Sequence, residues 1–258
     1  MYYKILIYIS TLLIFTYSDS TSATTQLFMA GDSTMAIKET KDYPETGWGV
    51  PFQSFFSEQL TVINLAKNGR STRTFMTEGL WQQILDNLQV GDYVIIQFGH
   101  NDESAKKKER YTTEQEYQDN LTNMIEQVQE KGANALLMSP ITRRYFDKSS
   151  DFKISPTHPY SPLVKKVAEK TKVSFFDMDK ITREYFEKMG DEQSSLRFMH
   201  IKPNLHPNYP NGIKDNTHFN QLGAREVAQL VLQLLRANNH PLIHYIRKPD
   251  PKHLTYRY

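Results

Sequence analysis

The sequence predicts an α/β protein: a three-layer α/β/α sandwich built on a five-stranded parallel sheet. Three observations lead there. Five short runs, residues 26–30 (QLFMA), 61–65 (TVINL), 93–98 (YVIIQF), 135–139 (ALLMS) and 173–177 (VSFFD), are nearly all apolar, as strands covered on both faces must be. Longer stretches between them carry apolar residues at helical spacing. The connections are short and no repeat interrupts the alternation, so the helices belong on both sides of one sheet.

The first run opens the sheet. After the third, Thr113 and Glu116 form a capping box that starts a helix. Tyr117, Leu121, Met124, Ile125 and Val128 then fall on one helical face, and Gly132 supplies the stop. After the fourth run, Ser161 and Pro162 read as N-cap and first helical residue, with Leu163, Val164, Val167 and Ala168 turned inward. A last helix is traced by Ala224, Val227, Ala228, Val231 and Leu235.

Composition sets the outer limits. The chain has 258 residues, 39% hydrophobic and 23% charged, the balance of a globular protein. A net charge of +2 is too near neutral for a nucleic-acid partner. Its one dense basic run, Lys106 to Lys108 with Arg110, is interleaved with Glu103 and Glu109 and reads as a solvated loop or helix start. No cysteine is present, so stability rests on an ordinary core without disulfides.

Residues 1–23 have the order of a secretory leader: Lys4, an apolar stretch over 5–15, then small residues ending at Ala23. That apolar stretch is well short of the roughly 20 residues a membrane helix needs. The expectation is a leader over 1–23, export to the periplasm or medium without a stable membrane partner, one domain over 24–258, and a tail from about 238.

In a parallel sheet, functional groups gather beyond the carboxyl ends of the strands. Gly31-Asp32-Ser33-Thr34-Met35 follows the first run. A serine there becomes a nucleophile only if a tight turn presents it and a base takes its proton; taken alone, it reads more readily as a helix N-cap. Asn68-Gly69-Arg70 follows the second run, and Gly69 can bring its backbone N–H close to a shared site or simply make a turn. Gly99-His100-Asn101-Asp102 follows the third, placing a side-chain amide where it can donate to an oxyanion or cap a helix. Asp215-Asn216-Thr217-His218 precedes the last helix, and an aspartate three residues before a histidine can hold the imidazole in the proton-accepting tautomer. Asp250 and His253 share the spacing but lie in a Pro-flanked tail with no element after them.

Together, these four blocks in this order resemble the SGNH (GDSL) hydrolase superfamily. The fuller strings GDSTM, Gly47-Trp48-Gly49, NLAKNGRSTR, FGHND, Thr157-His158-Pro159-Tyr160 and DNTHFNQLGA are similar to those of the rhamnogalacturonan acetylesterase family. The resemblance implies a flavodoxin-like SGNH fold and a serine esterase needing no metal or cofactor. It implies Ser33 as nucleophile, His218 as base, Asp215 as its orienting partner, and an oxyanion hole from the N–H groups of Ser33 and Gly69 and the amide of Asn101. The substrate it implies is an acetylated plant cell-wall polysaccharide, pectic rhamnogalacturonan first.

Other assignments stay open on the residues. Trp48 is either a sugar platform or a core plug. Arg70, Arg73, Arg143 and Arg144 can read uronate carboxylates, or pair with nearby acids. His158 and His100 lie in family strings, where hydrogen bonding behind the catalytic residues is the favoured role; His158 is also a candidate for substrate contact. Tyr111, Tyr145 and Phe146 can shape a groove. Loops at 106–110 and 190–213 are where substrate choice is expected to be set. Rival functions are an esterase for xylan, homogalacturonan or small esters, a non-catalytic glycan-binding protein, and a flavin or nucleotide binder. The last is disfavoured because Asp32 puts a carboxylate where phosphate would sit.

Overall fold

The computed structural model describes residues 24–147, 153–154 and 158–248. The expected leader, Thr157 and the Asp250/His253 pair lie outside the described residues. In chain order the elements are β1 (Thr25–Gly31), α1 (Gly49–Phe52), β2 (Leu60–Asn64), α2 (Thr72–Thr77), α3 (Leu80–Asn87), β3 (Tyr93–Gln97), α4 (Glu114–Glu130), β4 (Asn134–Met138), β5 (Phe146–Asp147), β6 (Lys153–Ile154), α5 (Ser161–Thr171), β7 (Ser174–Phe176), α6 (Met178–Ser195), β8 (Phe198–Ile201), β9 (Ile213–Phe219) and α7 (Gln221–Ala237).

Five strands form one parallel sheet in the order β2-β1-β3-β4-β7. The chain leaves β1 toward β2 on one side and returns to β3 on the other. That reversal opens a crevice beyond the carboxyl ends of β1 and β3. The strands read as continuously apolar because alternate residues feed two cores. Leu27, Met29, Ile95, Leu136 and Met138 pack with α6 and α7 on one face. Phe28, Ala30, Val94, Ile96 and Leu137 pack with α2 to α5 on the other.

The five strands and the faces of α4, α5 and α7 lie where the patterning put them, and the Thr113/Glu116 capping box is formed. Four local expectations shift. α5 is capped at Tyr160, so Ser161 and Pro162 are its first two helical residues. Asp177 leaves the last strand and accepts from Lys180 N–H as N-cap of α6. The segment read as a loop from 190 holds the end of α6 and a two-stranded antiparallel ribbon, β8–β9. Residues expected in the tail are docked to 248: Leu242 is fully buried, and Arg247 N–H donates to Phe55 O. Among the described residues no helix is long and apolar enough to cross a membrane.

Candidate active site

Ser33 follows β1 in a tight turn, not at a helix start. The turn closes through Met35 N–H and Ala36 N–H, both onto Asp32 O. Asp32 caps it from within, accepting from Thr34 N–H at 2.9 Å and Thr34 Oγ1 at 2.8 Å. The helix-cap reading of Ser33 therefore fails, because its neighbour caps the turn and the Ser33 hydroxyl bonds no backbone N–H of it.

The Gly47-Trp48-Gly49 segment presses on this turn from outside. Trp48 N–H donates to Thr34 O, and Asn64 Nδ2 donates to Met35 O. A Cβ on Gly47 would stand 2.3 Å from Ala36 O and from Met35 C. Glycine is required there because backbone runs directly over backbone.

The second and third blocks meet beside the serine. Gly69 has φ +77°, in the left-handed region that favours glycine. Each carbonyl of the loop is held: Asn68 O by Arg70 Nη1 at 2.7 Å, Gly69 O by Arg110 Nη1 at 3.3 Å, and Arg70 O by Asn101 Nδ2 at 2.8 Å. A peptide plane is rigid, so fixing its carbonyl fixes the N–H on its far side. Neither Ser33 N–H nor Gly69 N–H donates to another group among the described residues. The Asn101 amide uses one N–H on Arg70 and keeps one. Three donors thus remain for an oxyanion.

Asp215 and His218 lie within β9 itself, not in a loop before the last helix. The ribbon register slips between Phe198 and Met199, so residues 216–218 bulge from the regular pairing. A bulge re-aims side chains, and here it accompanies a direct contact between Asp215 and His218. Asp215 Oδ2 lies 2.7 Å from His218 Nδ1, and Asp215 Oδ1 accepts from the N–H groups of Thr217 and His218. His218 Nε2 lies 2.8 Å from Ser33 Oγ. Just past the ribbon, Asn220 caps α7 and donates from Nδ2 to Leu196 O and Phe198 O.

Electrostatics suit proton transfer along this line. Burial opposes the Asp215 charge, but the hydrogen bond and charge of His218 and the two N–H donors prevail, bringing its pKa down to about 2. Burial likewise disfavours charged His218, yet Asp215 and the nearby Glu45 carboxylate leave its pKa raised. A fixed carboxylate, a basic imidazole and a hydroxyl in hydrogen-bond reach can perform acyl transfer.

A buried network backs the serine. Asp32 is opposed by burial, but His100 and Thr34 keep it ionised, lowering its pKa. His100 packs edge-on against His158 at 4.8 Å, and Arg143 pairs with Glu103 while reaching His100 O. His158 is 3% exposed and burial depresses its pKa well below the usual range. It meets a histidine, not solvent, so the expected support behind the serine is the role its position allows, and the substrate contact also considered for it is corrected.

Trp48 is corrected in the same way. It is fully buried, its Nε1 donates to Gln97 Oε1 at 2.8 Å, and its ring stands edge-on to Phe52; it is the core plug. The four arginines all meet carboxylates of this chain: Arg70 with Glu78, Arg73 with Glu116, Arg143 with Glu103 and Arg144 with Asp191. Lys106 to Lys108 are exposed as expected, whereas Arg110 turns inward onto Gly69 O. No helix follows Asn101, which excludes its capping reading; Asp102 instead accepts from Thr72 N–H and Thr72 Oγ1.

An open cleft of about 530 Å³ runs beside β9, lined in part by Tyr145, Phe146, His200, Lys214 and Asn216. Tyr145 is 51% exposed. Lys38 and Glu45 carried no motif signal, yet the structure brings both to the nucleophile turn. Among the described residues no group of three or more His, Asp or Glu side chains is placed to hold a metal ion.

The GDSL-like lipase/acylhydrolase family model matches residues 29–226. Rhamnogalacturonan acetylesterase RhgT of Bacillus subtilis is 38% identical over 231 residues, covering 89% of this chain and 97% of that protein. A rhamnogalacturonan acetylesterase of Emericella nidulans is 29% identical, over 80% of this chain and 83% of its own. The crystal structure of YxiM from Bacillus subtilis superposes with a TM-score of 0.73 at 27% identity, over 84% of this chain and 58% of that one. With its serine, glycine, asparagine and histidine blocks meeting at the sheet's carboxyl end, the chain belongs to the GDSL-like lipase/acylhydrolase family, the SGNH hydrolases, and is a carboxylic ester hydrolase.

Proposed function

We propose that the chain removes O-acetyl groups from the rhamnogalacturonan backbone of pectin, with Ser33 as nucleophile. The observation that carries the chemistry is the unbroken line from Ser33 Oγ to His218 Nε2 at 2.8 Å and from His218 Nδ1 to Asp215 at 2.7 Å. Ser33 Oγ attacks the acetyl carbonyl carbon as its proton passes to His218 Nε2. The carbonyl oxygen gains charge and is held by the N–H groups of Ser33 and Gly69 and the free N–H of Asn101. Collapse breaks the bond to the sugar oxygen, which takes the proton from His218 and leaves acetyl-Ser33. Water, losing its proton to His218, repeats the sequence, releases acetate and restores the serine.

The substrate reading is supported by relatives at 38% and 29% identity that bear this activity in their names. Because one fold serves many esters, the test is acetate release from acetylated rhamnogalacturonan, xylan and homogalacturonan, with chromogenic acetate as reference. Rhamnogalacturonan is expected to lead; a wide margin for xylan would overturn the substrate. Activity surviving in Ser33→Ala would overturn the nucleophile. We also propose export, on the charge–apolar–small order of residues 1–23. N-terminal sequencing of protein recovered outside the cell is expected to begin near residue 24.

A further inference from the structure

Lys38 is a buried cation of unexpected reach. Its side chain is only 5% exposed. The ammonium donates to Ser33 O at 2.5 Å and to Asn68 Oδ1 at 2.7 Å, and pairs with Glu45 Oε1 at 2.7 Å. An ammonium has three protons, and each has one acceptor. Those acceptors belong to three segments: the nucleophile turn, the residue preceding Gly69, and the stretch leading into Gly47-Trp48-Gly49.

We propose that Lys38 is a positioning residue of the esterase site, locking the Ser33 turn to the Asn68–Gly69 loop so that both oxyanion N–H groups keep one mutual geometry. The proposal rests on the reading of Ser33 as nucleophile. Its physical basis is that the two N–H donors sit on different loops, after β1 and after β2; the backbone ladder between those loops ends at Lys67 N–H on Gly31 O, and no backbone hydrogen bond joins residue 33 to residue 68 or 69. Lys38 extends the joint beyond that point, to Ser33 and Asn68 themselves. Charged donors make strong hydrogen bonds, and a desolvated ammonium cannot drift from three acceptors without losing their compensation. Glu45 anchors the ammonium and is itself tied to the ribbon, since residue 45 bridges Asn220 and Thr46 N–H donates to Phe219 O. Nucleophile, oxyanion loop and the strand bearing His218 thus share one joint.

The same pair has a second consequence. The charged groups that bear on His218 are Asp215 on its own strand and Glu45 and Lys38 from the segment after the nucleophile. Glu45 favours the imidazolium and Lys38 opposes it, so removing each half of the ion pair displaces the acid limb of activity in opposite directions. A structural defect alone would not produce opposite signs.

The test compares the parent with Lys38→Met, Lys38→Arg, Glu45→Gln and Ser33→Ala, measuring kcat, KM and pH profile on chromogenic acetate with melting temperature in parallel. Lys38→Met is expected to lose up to about 100-fold in kcat, the scale of a 1 Å misplacement, with KM within about threefold and the acid limb moved up. Lys38→Arg is expected to recover part of that loss, and Glu45→Gln to lower kcat and move the acid limb down. Should Lys38→Met not fold, Glu45→Gln decides by the direction of its shift. Folded Lys38→Met with kcat within about threefold of the parent would overturn the proposal, as would pH profiles that move together or not at all. Activity retained in Ser33→Ala would instead sink the nucleophile reading beneath it.

Discussion

Asn101 offers the sharpest test of how this site stabilises charge. It makes no covalent bond and carries no charge, and it is 6% exposed. One N–H of its amide holds Arg70 O at 2.8 Å, leaving the other for the oxyanion. Asn101→Ala removes both. Loss of a single oxyanion donor raises the barrier by about 2.7–4 kcal/mol, or about 100- to 1,000-fold in kcat. The Arg70 carbonyl also loses its donor, which costs on the order of 1 kcal/mol and falls on stability and loop geometry. Because the donor acts only once charge has developed on the carbonyl oxygen, KM should stay within about threefold. Steady-state kinetics on chromogenic acetate, with the melting temperature measured alongside, separate the two effects. A folded Asn101→Ala enzyme retaining a third or more of parental kcat would refute the oxyanion assignment.

Three further outcomes follow from the geometry. His218 must be neutral to accept the Ser33 proton, and Asp215 and Glu45 raise its pKa against burial, so the acid limb of kcat/KM is expected to centre above the ordinary 6.5; a midpoint below that value contradicts the electrostatics. Burial lifts Asp102 from 3.8 to about 7 even though Thr72 and Thr112 donate to it. Its folded pKa exceeds its unfolded one, so its contribution is complete below about pH 3.8 and is lost as pH rises to about 7, on the order of 4 kcal/mol at about 1.4 kcal/mol per pH unit. Urea unfolding across that window should therefore show a shallower fall in Asp102→Asn than in the parent, and an unchanged slope would exclude the assignment. Gly47→Ala forces a methyl against backbone at 2.3 Å; overpacking of this kind costs about 1–3 kcal/mol. A lower melting temperature and reduced kcat are expected, and a variant matching the parent in both would show that the segment yields freely.

Much of this was legible along the chain, and the misses share a cause. The capping box at Thr113, the inward face of α4 and the two-sided burial of the strands are local patterns, set by residues a few positions apart. Ribbon β8–β9 was missed because its pairing joins residues 198–201 to 213–219 across an irregular turn, with a bulge that hides strand periodicity. α6 was missed where Gly190, at φ 78°, interrupts it. Trp48 gave no sequence signal between sugar platform and plug, since the choice depended on Gln97 lying under it.

By itself the sequence determined the sheet, three of the helices that cover it (α4, α5 and α7), and the order in which serine, glycine, asparagine and histidine arrive at its end. Hydrophobic periodicity and turn chemistry act over short separations, and they are written in the chain. Tertiary structure alone decided which polar groups are free and which are spent. The four arginines met their own carboxylates, Lys38 found three acceptors, and Ser33 reached His218 across a separation of 185 residues. A hydrogen bond needs its partners within about 3 Å, and only the packed layers bring such distant residues that close.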